Sequence, residues 1–190
     1  MPPDVQPPTE GPETAGLRHA DSLVLVHTGD GKGKTSAAMG IVVRALARGW
    51  KVLVVQFIKS GDWRAGERDV LGELGAEWRN GGDGFSWDSG DLDRSAEVAA
   101  DAWAAAAEAI AAGEHDLVVL DEITFAMNWG WIDTDEVVVT IAGRPSNVSV
   151  VATGRDAPAP LLDVADTVTE MTNVRHAFDS GVAAKRGIDL

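Results

Sequence analysis

The chain has neither cysteine nor tyrosine. The first absence excludes disulfides and thiolate metal sites. No apolar run approaches the roughly 20 residues of a membrane-spanning helix, and the opening residues lack the basic start and apolar centre of a secretory signal. A cytoplasmic protein with no membrane segment is expected. Positive charge is also scarce: 16 Lys and Arg against 30 Asp and Glu leave a formal net charge of -14. Such a surface repels polyanions, so nucleic acid is not an expected partner. A small anion stays open as a ligand, because a local nest of backbone N–H groups with a few lysines holds phosphate whatever the net charge.

Proline is absent from most of the chain and concentrated at its start. Five of eight prolines (Pro2, Pro3, Pro7, Pro8, Pro12) stand among Glu, Thr and Gly with little to bury. Residues 1–20 therefore read as a disordered segment. Residues 21–190 are long enough for one sizeable core and read as a single domain. Within them short apolar runs alternate with helix-length amphipathic stretches, the pattern of βαβ units and a parallel sheet. Buried strands are expected at 23–27, 51–57, 117–121, 149–153 and 167–171, each short and rich in Val, Leu or Ile. Helices are expected over 34–48, with Gly49 as C-terminal stop, over 95–112 before Gly113, and over 133–142 with Asp133 or Thr134 as cap. The Gly-, Asp- and Ser-rich stretch 80–93 reads as a long loop, a kind of segment that commonly carries function. The fold class is thus α/β, a doubly wound and mainly parallel sheet with helices on both faces.

The most informative stretch is Thr28-Gly29-Asp30-Gly31-Lys32-Gly33-Lys34-Thr35, followed by Ser36, set between a strand and a helix. That context is the one a phosphate loop requires. Glycines let backbone N–H groups approach phosphate oxygens, the helix presents its positive end, Lys34 adds a charge, and Thr35 has a hydroxyl for Mg²⁺. The loop is a variant, since Thr28 stands where the usual pattern begins with glycine. A second element supports it: the apolar run 117–120 delivers Asp121 and Glu122 at a strand end, where carboxylates hold Mg²⁺ directly or through water. Taken alone, that pair also suits a helix start. Gln56 and Lys59, ending the second strand, and Arg155, after the fourth, stand within reach of phosphate or ribose or else serve as ordinary strand-end polar groups. His19, His27, His115 and His176 lack metal-ligand spacing, and His27 reads as structural.

Seven tryptophans without tyrosine is an unusual balance, and packing accounts for most of them. Trp129 and Trp131 follow the acidic pair and either wall a pocket or form a dimer contact. Phe85 and Trp87, two residues apart in the long loop, read on their own as packing anchors.

Across nearly the whole chain after its N-terminal segment, the stretches TGDGKGKTSAA, VVQFIKS, GER, GFSWD, DLVVLDEIT, TGR and ADTVTEMTNVRHAFDSGVAAKRGIDL resemble the phosphate-loop type of ATP:corrinoid adenosyltransferase. Several family members carry Asn in place of Asp30 and Thr in place of Ser36, so Asp30 puts an anion beside the expected phosphates. The resemblance implies a P-loop NTPase-like fold and a homodimer. It also implies transfer of the 5′-deoxyadenosyl group of ATP to the reduced Co(I) of a corrinoid, with inorganic triphosphate leaving and the nucleotide lying in the loop in reversed sense. Thr28, Gly29, Asp30, Gly31, Lys32, Gly33, Lys34, Thr35, Ser36 and Arg155 would then bind ATP, and Thr35, Asp121 and Glu122 would hold Mg²⁺. Lys34 would stabilise the leaving group, and Phe85 with Trp87 would displace the corrinoid's lower ligand. Cobalt being the nucleophile, no protein nucleophile is needed. With no redox cysteine or flavin site, the electron is expected from a flavoprotein partner. The corrinoid is left open among cobalamin, cobinamide and a pathway intermediate. Two other readings stay open: a kinase or NTPase cleaving the γ-phosphate, and a nucleotide-gated corrinoid-binding module without turnover.

Overall fold

A computed structural model describes residues 16–60, 66–82 and 92–188. In chain order the elements are β1 (Val24–Thr28), α1 (Lys34–Leu46), β2 (Val52–Ser60), α2 (Gly66–Glu73), β3 (Glu77–Gly82), α3 (Leu92–Ala112), β4 (Leu117–Asp121), α4 (Ile123–Asn128), α5 (Thr134–Ala142), β5 (Ser149–Thr153), α6 (Ala159–Asp163) and β6 (Thr167–Glu170). A 3-10 turn, Ala177–Ser180, follows β6.

All six strands join one sheet in the order β3-β2-β4-β5-β1-β6. Every pairing is parallel, so the expected mainly parallel sheet is parallel throughout. The side-chain period of two splits the four inner strands between two cores, whereas β6, expected to be buried, is exposed along its length at the sheet's edge. Val24, Val26, Leu53, Val55, Val118, Leu120, Val150 and Ala152 face the cluster formed with α3, α4, α5 and α6. Val52, Val54, Leu117, Val119 and Val151 face the cluster formed with α1 and α2. Burial on both faces is what turns these strands into continuous apolar runs. In α3, Ala99, Trp103, Ala106 and Ile110 are buried at helical spacing, and the Trp103 indole donates to Glu136 Oε1 at 2.9 Å. This tryptophan belongs to the core, as packing predicts.

Boundaries follow local chemistry. Helix α1 ends where the Gly49 N–H donates to Leu46 O and the Trp50 N–H to Ala45 O, with Gly49 at φ 76°. The Asp133 carboxylate caps α5 by accepting from the N–H groups of Asp135 and Glu136. The loop expected over 80–93 is corrected at both ends. Asn80, Gly81 and Gly82 belong to β3, while Leu92 and Asp93 open α3. Strand pairing with β2 overrides the weak strand propensity of Asn and Gly there. Helices α2, α4 and α6 were not expected, being shorter than the roughly 11 residues over which helical periodicity becomes legible.

Candidate functional site

Parallel strands point the ends of β1, β2, β4 and β5 to the same edge, where a cleft of about 730 Å³ opens. One wall is the glycine-rich loop and the start of α1, from Asp30 to Ser36. Glu122, Arg155 and Glu67 add charge, and Ile58, Phe125, Trp129 and Ile188 form an apolar side. A polar floor beside an apolar wall suits a ligand with a charged tail and a flat, less polar body.

The loop's shape follows from its glycines. Gly33, at the N-cap of α1, sits at φ 109°, a backbone region that L side chains rarely adopt. Gly31 is required by a close approach: its N–H donates to Met171 O at 2.6 Å, and a Cβ there would lie 2.7 Å from that oxygen. The chain leaving β6 is thus laid against the loop, and the Met171 N–H returns a bond to Thr28 O at 2.8 Å. Gly31 therefore spends its amide on the protein. The first-turn N–H groups of Lys34, Thr35 and Ser36 have no intrahelical acceptor, so the anion-attracting amides lie at the start of α1. Lys34 reaches back into the loop, its Nζ donating to Gly29 O at 2.6 Å and Gly31 O at 2.7 Å. Burial lowers its pKa from the ordinary 10.5, and Arg155 lowers it further, while Asp30 and Glu122 act in the opposite direction.

At the end of β4 the Asp121 carboxylate is fully buried. Its Oδ1 accepts from Thr35 Oγ1 at 2.9 Å and Thr153 Oγ1 at 2.7 Å, and its Oδ2 accepts from Gln56 Nε2 at 2.8 Å. Three charge-assisted bonds replace the water that burial removes. Glu122 follows at φ 64°, rare for a side chain larger than glycine, and α4 begins at the next residue. The acidic pair thus stands at a strand end and at a helix start at once.

Most residues expected at the site come together. Asp30 through Ser36, Glu122 and Arg155 line the cleft, whereas Asp121 lies beneath it. Asp30 forms a solvent-exposed ion pair with Arg155, Oδ1 to Nη1 3.5 Å, which accounts for an acid in this loop. Thr28 Oγ1 accepts from the Ala157 N–H at 3.1 Å, tying the loop to the turn after β5. His27 is buried with Nδ1 3.4 Å from Lys34 O, in keeping with a structural role. Trp129 lines the cleft, while Trp131 packs partly buried against the larger core, with ring centroids 4.7 Å apart. Phe85, Trp87 and the side chain of Lys59 lie outside the described residues. Sequence reasoning missed Thr153, Thr124 and Met171, whose roles rest on contacts distant along the chain, and it missed Phe125 and Ile188 as cleft residues. Glu67 stands inside the stretch GER and Ile188 near the end of the C-terminal stretch that resembles the family; that position was the available signal.

A parallel sheet with a glycine-rich loop after β1, a helix behind it and a buried aspartate at a neighbouring strand end defines an α/β protein of the phosphate-loop class. Residues 20–190 match the family ATP:corrinoid adenosyltransferase BtuR/CobO/CobP. A corrinoid adenosyltransferase of Pseudomonas aeruginosa is 42% identical over 178 residues, covering 93% of this chain and 87% of the relative. One from Escherichia coli K12 is 41% identical, with 88% and 85% covered. Corrinoid adenosyltransferase CobA of Salmonella typhimurium is 40% identical over the same shares. The chain belongs to the ATP:corrinoid adenosyltransferase family, whose members are enzymes of the cobalamin pathway.

Proposed function

We propose that the cleft binds ATP with its triphosphate against the loop and α1, and that the chain transfers the 5′-deoxyadenosyl group to the reduced cobalt of a corrinoid. The supporting observation is the pairing in one cleft of Lys34 and the α1 start with an apolar wall containing Phe125 and Trp129. A departing triphosphate gains charge. Lys34 and the orphan amides of α1 therefore stabilise the transition state more than bound ATP. Breaking the C5′–O bond leaves its electron pair on the triphosphate, while cobalt supplies the pair for the new bond. No protein group has to gain or lose a proton.

The oxygen donors at this edge fit Mg²⁺. Thr35 Oγ1 donates its hydrogen bond to Asp121, so the hydroxyl's lone pairs are left for the cleft, and Glu122 lines the same cleft. Both are hard oxygen ligands of the kind Mg²⁺ takes alongside phosphates and water. Asp121, already accepting three bonds, orients Thr35 from behind. The bound ion would supply charge neutralisation of the triphosphate. Phe85 and Trp87 complete the reading as groups that displace the lower ligand, the chain acts as a homodimer in the cytoplasm, and a flavoprotein supplies the electron. Among the described residues, no helix is long and apolar enough to cross a membrane.

The test is to incubate the protein with Mg-ATP and chemically reduced corrinoid, then identify the corrinoid product and the phosphate released. A new cobalt–carbon bond with triphosphate is expected. Orthophosphate without adenosylation would make the chain an NTPase, and binding without products a carrier.

A further inference from the structure

Thr153 has two hydrogen bonds to the acidic turn and belongs to neither the loop nor the turn. Fully buried at the end of β5, it donates from Oγ1 to Asp121 Oδ1 at 2.7 Å. The same oxygen accepts the Glu122 N–H at 2.9 Å. One hydroxyl thus holds the carboxylate that orients Thr35 and the backbone that aims Glu122. The second bond falls where the chain needs it, because Glu122 occupies the left-handed region at φ 64°. A conformation costing on the order of 1–3 kcal/mol persists only where neighbours hold it.

The contact does not stand alone. Two residues after Glu122, Thr124 Oγ1 donates to Arg155 O at 2.6 Å, and Asn128 Nδ2 donates to Arg155 O and Asp156 O at 3.3 and 3.1 Å. The segments after β4 and β5 are therefore stitched together by Thr124 and Asn128 side chains bonded to backbone carbonyls of Arg155 and Asp156, and they carry Glu122 and Arg155 into one cleft.

We infer that Thr153 is a positioning residue that sets Asp121 and Glu122 jointly for the metal–triphosphate, so that its hydroxyl governs metal affinity at a site it does not line. This inference rests on the proposed Mg-ATP reading. Valine, which matches threonine in shape but has neither donor nor acceptor, would leave one Asp121 bond unmade and the Glu122 N–H unpaired. Serine keeps both bonds.

The test compares full-length Thr153→Val and Thr153→Ser with wild type. Binding of Mn²⁺, as a spectroscopic stand-in for Mg²⁺, is measured by electron paramagnetic resonance in the presence of ATP and without corrinoid, alongside thermal unfolding without ligand. For the valine variant the metal dissociation constant is expected to rise about tenfold, the size of effect typical for outer-shell partners of metal ligands. For serine it is expected to stay within about twofold. In a Glu122→Gln background the effect of valine should shrink to well under tenfold, because the two changes act on one path. A valine variant with a lower melting temperature but unchanged metal affinity would make Thr153 merely structural, and full additivity with Glu122→Gln would also overturn the inference. Should valine prevent folding, Thr153→Ala removes the same bonds without placing a methyl against Asp121, and the same outcomes apply. Failure of the wild type to adenosylate would sink the functional reading, whereas normal adenosylation with metal affinity indifferent to Thr153 sinks this inference alone.

Discussion

Aspartates stand at both ends of the sheet, and their partners differ. At the amino end, Asp116 Oδ2 accepts the Lys51 N–H and Asp166 Oδ2 accepts the Val24 N–H, each at 2.8 Å. Those carboxylates satisfy backbone groups where strands begin, and Asp166 stays partly solvated beside Arg144. At the carboxyl end Asp121 is fully buried, and it accepts hydrogen bonds from the side chains of Thr35, Gln56 and Thr153. An acid at a strand's start that accepts one backbone N–H near solvent does a task that water also supports. An acid held by side chains of α1, β2 and β5 needs a completed sheet, and its burial is justified only if those donors are held for a purpose.

The largest expected effect sets the scale at the functional end. Lys34→Ala removes the charge nearest the loop carbonyls and should lower kcat/KM for ATP by about 10²–10³-fold, in the range for loss of one transition-state donor. Near-normal steady-state kinetics would dissolve the phosphate-loop assignment. Next comes the direct contrast between the two ends. Asp121→Ala should cost about 10–100-fold in kcat/KM through misplacement of Thr35. Asp166→Ala should cost about 1 kcal/mol in denaturant unfolding and leave kcat/KM within about twofold. Equal losses of activity at the two positions would erase the distinction.

A third change probes the loop's attachment to the segment after β6. Gly31→Ala presses a methyl onto Met171 O and should destabilise by about 1–3 kcal/mol, weakening ATP binding as well. A variant with wild-type stability and ATP affinity would show that the contact yields freely. The smallest effect is on pH dependence. Lys34 is lowered from 10.5, so in the free enzyme it loses its charge, and kcat/KM falls, below the pH of an ordinary lysine. Asp30 raises this pKa and Arg155 lowers it. Asp30→Asn should therefore move the alkaline limb of kcat/KM to lower pH and Arg155→Gln to higher pH. Limbs that stay together in all three proteins would remove Lys34 as their origin.

Much of the framework was legible in the chain's local chemistry. Four apolar runs buried on both faces, the Gly49 stop and the Asp133 cap all appear where periodicity and capping place them. The edge strand β3 escaped because Asn80, Gly81 and Gly82 carry turn chemistry, which pairing with β2 overrules. At the site, the loop and acidic pair were readable because each is contiguous. Thr153 was visible only as a strand end, and Met171 only as part of a tail, since their partners lie more than thirty and more than one hundred residues away along the chain.

By itself, then, the sequence determined which residues turn inward, which end of each strand they occupy and that a glycine-rich loop follows β1, because these depend on side-chain period and backbone preference within a few residues. Only the tertiary structure decided that Gln56 pairs with Asp121 across β2 and β4, and that β5 brings Thr153 to the same carboxylate. Strand order and register arise from how whole faces pack. A one-residue slip would turn Asp121 to the opposite face and separate it from all three donors.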